Sequence, residues 1–338
     1  MDRDLHVVFK VEDRSYFAII KKGIHNIAAR AGFSDNKLAE IDIVVAELVT
    51  NLVKHAGGGL VFVKATVDKG WKELELISID NGPGITDVPR MLQDGVSTKN
   101  TLGQGLGAIK RLSDQFQIYS GKELGTISLI RITENKPESM REGIPAEIRS
   151  IVIPKTGETA CGDGFFTSTI GNKIRLFLGD GLGHGPEAEN AVTKAGSAFL
   201  NSTETDPVAL LRDIDKAVRK TRGLVGTIAV FNTTEKSWSI CGVGNIMSRL
   251  TGQYQSRNHT PHNGIIGLNV PNTLTAQRYD HEPGQILIMC SDGTKSRWDL
   301  SKLPSVLRYD YSIVAASIVK DFNRGNDDTS VVVCKINY

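Results

Sequence analysis

The chain has little cysteine and almost no net charge, and it has no long apolar run. Four cysteines stand among 338 residues: Cys161, Cys241, Cys290 and Cys334. None forms a Cys-x-x-Cys pair, so neither a zinc knuckle nor a thioredoxin-type motif is expected. Cys290 and Cys334 lie in strand-like apolar runs and read as buried, inert thiols. The formal charge of +2 is a small difference between 40 basic and 38 acidic residues. It gives no electrostatic reason for nucleic-acid or membrane binding. No apolar run has the length that spans a bilayer. Met1-Asp2-Arg3-Asp4 lacks the apolar core of a signal peptide, so a cytoplasmic protein is expected. There is no fixed-period repeat and no low-complexity tract.

What is present suits a soluble protein of two domains. The apolar share of 40% and charged share of 23% are ordinary, and the length suits two cores better than one. The polar stretch 133–143 holds Pro137 and Gly143 between apolar segments and marks the boundary. Before it, Leu38, Ile41, Val45, Leu48 and Leu52 recur at three- and four-residue spacing, which predicts a helix. Ser34 is its expected N-cap, and Gly57-Gly58-Gly59 ends it. Strands are expected at 60–67, 74–80, 116–119 and 126–132, with a second helix from Gly105. Helices over one face of a mainly antiparallel sheet fit this order. The second half reads as strands at 150–153, 173–179, 227–231, 237–243, 285–290 and 330–335. Helical patterns fall at 186–202, 208–221 and 312–323.

Two sets of phosphate-handling residues follow. Glu47, Asn51 and His55 are spaced by four, which places them on one helix face. An Asn amide oxygen can ligate Mg²⁺, and a carboxylate can orient a hydroxyl for attack on a γ-phosphate. Alone, this stripe reads first as an ordinary solvated helix face. Asp80 ends an apolar strand and is followed by Asn81-Gly82-Pro83-Gly84, a plain turn or a close approach to a ligand. A carboxylate there can accept a hydrogen bond from an exocyclic amine. Ser97-Thr98-Lys99 and Gly103-Gln104-Gly105-Leu106-Gly107 then precede a helix, where exposed N–H groups bind phosphate. The spacing is not that of a dinucleotide fingerprint.

In this order, over 41–126, the three elements resemble the Bergerat-fold (GHKL) ATPase superfamily of gyrase and the histidine kinases. The stretch 103–116 is most similar to the anti-sigma-factor serine kinases and the stressosome switch kinase. The resemblance implies that Asn51 is the Mg²⁺ ligand and Glu47 the general base. Asp80 would read adenine, beside Gly82, Gly84 and Thr126. Thr98, Lys99, Gly103, Gly105 and Gly107 would belong to the phosphate lid.

The second half offers acids beside glycine: Asp163, Asp180-Gly181, Asp292-Gly293 and Asp327-Asp328. Taken singly, each is a turn. Gathered at strand ends, such acids build hard-cation sites, and a pair of metals can activate water for in-line attack on phosphate. The order Gly-Asp, Asp180-Gly-Leu-Gly-His-Gly185, Ser-Asp-Gly, Asp327-Asp-Thr-Ser resembles the type 2C phosphatase superfamily in its SpoIIE branch, over 151–335. The resemblance implies side-chain metal ligands at Asp163, Asp180, Asp292 and Asp327, with Gly181 ligating through its carbonyl. Asp328, where the family has Asn or Asp, is counted with the metal residues by the same resemblance. No basic residue near Asp163 matches the eukaryotic phosphate-binding arginine, so phosphate contacts are expected mainly from metals.

Together the resemblances imply an α+β chain. A Bergerat two-layer α/β sandwich ATPase domain is expected over 1–134, a linker over 135–145, and a type-2C-like α/β/β/α sandwich over 146–338. The function implied is a bacterial switch that phosphorylates Ser or Thr of a STAS-domain partner with ATP and dephosphorylates phosphoserine or phosphothreonine with a two-metal site. That partner would be an anti-sigma antagonist or stressosome component, with a sigma factor further along. ATP and Mg²⁺ serve the first site, and Mn²⁺ or Mg²⁺ the second. No nucleic-acid or membrane partner is expected, and homodimerisation stays open. The alternative is an ATP-regulated phosphatase whose first domain only binds ATP and a partner. A plain ATPase clamp is disfavoured by the short chain between Gly84 and Gly103.

Overall fold

Cross-strand pairing of apolar residues builds the first half around one antiparallel sheet. In the computed structural model the described residues are 5–68, 70–91, 105–135, 146–252, 255–303 and 305–337. The first elements are β1 (Val7–Val11), α1 (Phe17–Arg30), α2 (Asp35–Asn51), β2 (Gly59–Asp68), β3 (Trp71–Asp80), α3 (Val88–Met91), α4 (Gly105–Leu112), β4 (Gln115–Gly121) and β5 (Gly125–Glu134). The sheet order is β1-β2-β3-β5-β4. Leu74 and Leu76 of β3 and Ile130 and Ile132 of β5 face the helices, where Ile24, Ile41, Val45 and Leu48 close the core. The predicted apolar face of α2 is therefore its buried face. Ser34 caps the helix, its Oγ accepting a long bond from Lys37 N at 3.5 Å.

The sheet's other face carries ions as well as apolar residues. Glu75 and Arg131 are register partners on β3 and β5, and both are buried. Arg131 Nε donates to Glu75 at 2.8 Å, and its two terminal nitrogens hold Asp310 at 2.7 and 3.0 Å. Ser312 Oγ donates to Glu75 at 3.0 Å. Asp310 and Ser312 come from far along the sequence. By compactness the chain forms two units, one of 6–144 with 301–317, the other of 1–5, 145–300 and 318–338. The excursion 301–317 has no counterpart in the contiguous division expected from the sequence.

The other unit holds β6 (Ala146–Ile153), β7 (Asp163–Ile170), β8 (Lys173–Gly181), α5 (Pro186–Asn201), α6 (Pro207–Val218), β9 (Leu224–Asn232), β10 (Ser237–Val243), β11 (Met247–Thr251), β12 (Ser256–His259), β13 (Gln277–Asp280) and β14 (Ile286–Cys290). The next helix, α7 (Tyr311–Phe322), starts within the excursion, and β15 (Thr329–Ile336) ends the order. Two antiparallel sheets form, β13-β10-β9-β8-β7 and β12-β11-β14-β15-β6. Leu176, Ala229 and Ile240 of the first meet Leu250, Leu287 and Val332 of the second in one core. The alternate residues Phe177, Ile228 and Cys241 turn outward to Val192, Phe199, Leu211 and Ile214 of α5 and α6 in another. The period-two alternation of each strand thus feeds two layers.

Every strand and helix expected from the sequence is present. Missing from that reading were β1, α1, the short helix α3, β7 and the short strands β11 to β13. The expected linker 135–145 and the lid residues Thr98, Lys99 and Gly103 lie outside the described residues, apart from Asn135.

Candidate active sites

The first site forms where α2, the end of β3 and the start of α4 meet. After Asn51 the α-helix gives way to a π-helical turn over Leu52–Ala56, closed by Gly57 at φ +74°. Wider turns of this kind often mark functional positions. His55 therefore leaves the strict four-residue register with Asn51, yet both line the same cavity. That cavity measures about 540 Å³, within the range of small-molecule sites. Its lining includes Asn51, His55, Asp80, Gly84, Gly105 and Thr126.

Each of these side chains has a local reason for its place. Asp80 is register-paired with Thr126, and its Oδ1 accepts from Thr126 N at 3.1 Å and Gly82 N at 2.8 Å. The carboxylate is thus clamped at the strand end. A Cβ on Gly84, at φ +76°, would lie 2.0 Å from the carbonyl of Gly121, so the β4–β5 hairpin fixes this glycine. Gly105 opens α4 directly over α2. A Cβ there would lie 2.7 Å from Glu47 Oε2 and 3.9 Å from Asn51 Oδ1. Asn51 Nδ2 is buried with no hydrogen-bond partner, which is costly unless a ligand joins it. Gly107 is buried within α4. The orphaned amide, the adjacent carboxylate and the apolar cavity fit a metal-bound nucleotide.

The sequence reading missed Ser78 and Ser128, which also line the cavity. They are register partners two residues before Asp80 and two after Thr126. A serine in each strand, on the face that carries Asp80 and Thr126, was the available signal.

The second site lies at the ends of strands. Asp163 opens β7 directly opposite Asp180 near the end of β8. Asp163 is buried, and its Oδ2 accepts from Ser291 Oγ at 2.6 Å and Ser330 Oγ at 2.7 Å. Its Oδ1 is buried without a partner. Burial pushes this carboxyl up to about 7, against the two serine bonds, with Asp328 and Asp292 adding repulsion. Burial likewise drives Asp180 well above the carboxylate range, and Asp163, Asp292, Asp327 and Asp328 all push the same way. Asp180 thus lies within electrostatic reach of the other four acids.

The acids do not form a closed metal shell. Among the described residues no group of three or more acidic, histidine or cysteine side chains is drawn into a metal shell. Asp292 is held by Asn245 Nδ2 at 2.9 Å, and Asp327 Oδ1 accepts from Asp328 N at 3.0 Å. Asp328 is the most occupied. Both its oxygens accept backbone N–H groups, from Lys155 and Gly162, each at 2.7 Å. That makes it a brace for the loop before Asp163. Gly181 packs under α5, where a Cβ would lie 2.5 Å from Ala188 O. His184 pairs with Glu158 at 2.6 Å at the start of α5. An all-oxygen donor set with one orphaned carboxylate oxygen and unrelieved repulsion fits hard divalent cations.

Comparison with known proteins agrees with both geometries. Residues 12–131 match the histidine kinase-like ATPase domain, and residues 170–337 match the stage II sporulation protein E (SpoIIE) family. The chain is 37% identical over 110 residues to the serine/threonine-protein kinase RsbT of Bacillus subtilis (strain 168), covering 31% of this chain and 83% of that one. It is 24% identical over 142 residues to the phosphoserine phosphatase RsbX of the same strain, covering 42% of this chain and 71% of RsbX. A solved structure of the bacterial stressosome, described as a modular system adapted to control secondary messenger signalling, shares 27% identity. It has a TM-score of 0.53 and covers 56% of this chain and 99% of its own.

Proposed function

We propose, for a chain that belongs to the histidine kinase-like ATPase family through residues 12–131 and to the SpoIIE family through residues 170–337, a two-way phosphate switch. The first domain phosphorylates Ser or Thr of a STAS-domain partner with ATP. The second removes such phosphates. The observation that carries the kinase half is the Glu47 carboxylate packed against Gly105, which lines the nucleotide cavity together with Asn51. A domain that only binds ATP needs no base there.

In this reading Glu47 accepts the proton of the attacking hydroxyl, and Asn51 holds Mg²⁺. Asp80, clamped by Thr126, reads the adenine amine, with Gly82 and Gly84 shaping the turn. Thr98, Lys99, Gly103, Gly105 and Gly107 supply the lid over the phosphates. Catalysis is then mainly positioning and charge stabilisation. In the second domain Asp163, Asp180, Asp292 and Asp327, with the Gly181 carbonyl, hold Mn²⁺ or Mg²⁺. Bound there, the metals would supply an activated water and neutralise phosphate oxygens. The serines under Asp163 aim its remaining oxygen, and Asp328 braces the loop. The STAS partner is supported by the likeness to RsbT and to the stressosome structure.

The test is a time course with γ-labelled ATP, Mg²⁺, Mn²⁺ and a STAS-domain protein. Label on the partner accumulates faster with Asp292→Asn than with wild type, and is absent with Glu47→Ala. No label with any variant, alongside intact removal of phosphate from a pre-phosphorylated partner, would leave the first domain as a binding module.

A further inference from the structure

A site that carries the paired Asp163 and Asp180 must receive a phosphoester that is itself an anion, and the sequence near Asp163 offers no cation for it. The fold brings one from elsewhere. Arg222 lies in the turn between α6 and β9. That turn is tied to the loop after Asp180, because Leu182 N donates to Gly223 O at 3.1 Å. Arg222 Nη1 makes a long contact of 3.4 Å with the Leu182 carbonyl, one residue past Gly181. Gly183, at φ +75°, leaves room for it, since a Cβ there would lie 3.0 Å from Nη1. Arg222 Nε pairs at 2.9 Å with Glu187, which is in the first turn of α5.

We propose that Arg222 binds the phosphoryl group of the phosphoserine or phosphothreonine substrate, exchanging the Glu187 carboxylate for phosphate oxygens. The inference rests on the phosphatase reading given above. The Arg222–Glu187 pair is open to solvent, with side-chain exposures of 43% and 74%. Such an exposed pair adds little net stability, so an arriving dianion displaces Glu187 at little cost. A guanidinium matches phosphate bidentately, where a lysine acts only as a point charge. The backbone tie between Leu182 and Gly223 keeps the arginine at the loop whether or not Glu187 is engaged. Glu187 then acts as a stand-in anion that orients the guanidinium while no phosphate is bound.

Two readouts on the full chain with saturating Mn²⁺ decide this. Steady-state kinetics on a phosphoserine peptide give KM and kcat, and calorimetry gives the affinity for inorganic phosphate. Arg222→Ala is expected to raise KM and the phosphate Kd about ten- to a hundredfold, the loss of charged hydrogen bonds, with a smaller change in kcat. Arg222→Lys recovers part of the loss, and Glu187→Gln tightens phosphate binding. Unchanged KM and phosphate Kd in Arg222→Ala, with only a lower Tm, would overturn the proposal and leave the pair as a helix-to-turn brace. A wild type that binds phosphate through Arg222 but hydrolyses no phosphoester would instead overturn the phosphatase reading.

Discussion

Asp163 holds two opposed demands in one side chain. Two serine hydroxyls satisfy Oδ2, while Oδ1 stays buried and unpartnered among other carboxylates. Function asks for that open oxygen, and stability does not. Asp163→Asn removes the charge and keeps an oxygen for the serines. In chelator at neutral pH the variant is expected to melt higher than wild type, by roughly 2–4 °C for each kcal/mol of relieved repulsion. Mn²⁺ should raise the Tm of wild type but not of the variant. Equal melting in chelator, or an equal Mn²⁺ shift, would show that Asp163 is not placed as a ligand. Thermal scans with and without Mn²⁺ give the answer. Asp163, Asp180 and Asp292 were legible as Asp-Gly pairs, and Asp327-Asp328 as an acidic pair before an apolar strand. The division of labour was not. Asp327 and Asp328 are neighbours in sequence, and only the fold shows that Lys155 and Gly162 occupy both oxygens of Asp328.

At the scale of elements, the sheet of the first unit is pinned by ions on the face away from its helices. Burial alone would push the Glu75 carboxyl up, but Lys64, His6 and Arg131 outweigh it and hold it well below the usual range. A carboxyl with a depressed folded value contributes stability fully above its unfolded value, near 4.5, and loses it as pH falls through the folded value. The Tm gap between wild type and Glu75→Gln is therefore expected to be widest at neutral pH. It should narrow on acidification below the unfolded value, in a melting series across pH. Arg131→Ala removes the buried cation that Glu75 and Asp310 share, leaving His6 and Lys64 beside Glu75 and Gln115 and Ser312 beside Asp310. It should cost about 3–5 kcal/mol by denaturant unfolding, whereas a surface pair would cost under about 1 kcal/mol. None of this pinning was legible. The pattern of β3 marks Glu75 as facing away from the helices, but no spacing rule brings Asp310 to it from 179 residues beyond Arg131. The helix α2 was legible to its cap because Ser34 and the apolar spacing are local signals. The π turn at Leu52–Ala56 has no local signature, so the position of His55 was not.

For the whole molecule, the order of motifs along the sequence is the informative quantity. A nucleotide site built on α2, β3 and α4 precedes a carboxylate cluster built on β7, β8 and β15, and each is matched by its own family. Both were readable because their glycines and acids are close in sequence to the strand ends that carry them. Arg222 was not, because its tie to the Asp180 loop exists only through the pairing of Leu182 with Gly223. A chain that adds and removes phosphate on one partner must consume ATP without net change once a steady level of phosphopartner is reached.

Sustained phosphate release is therefore the measurement that tests the account most directly. Wild type, a STAS-domain partner, ATP, Mg²⁺ and Mn²⁺ are followed for inorganic phosphate over many equivalents of partner. The account predicts continuous, partner-dependent release that stops in Glu47→Ala and in Asp292→Asn alone, and returns when the two variants are mixed. Release that ends after one equivalent in wild type, or continues undiminished in Asp292→Asn, would contradict opposed activities on one chain.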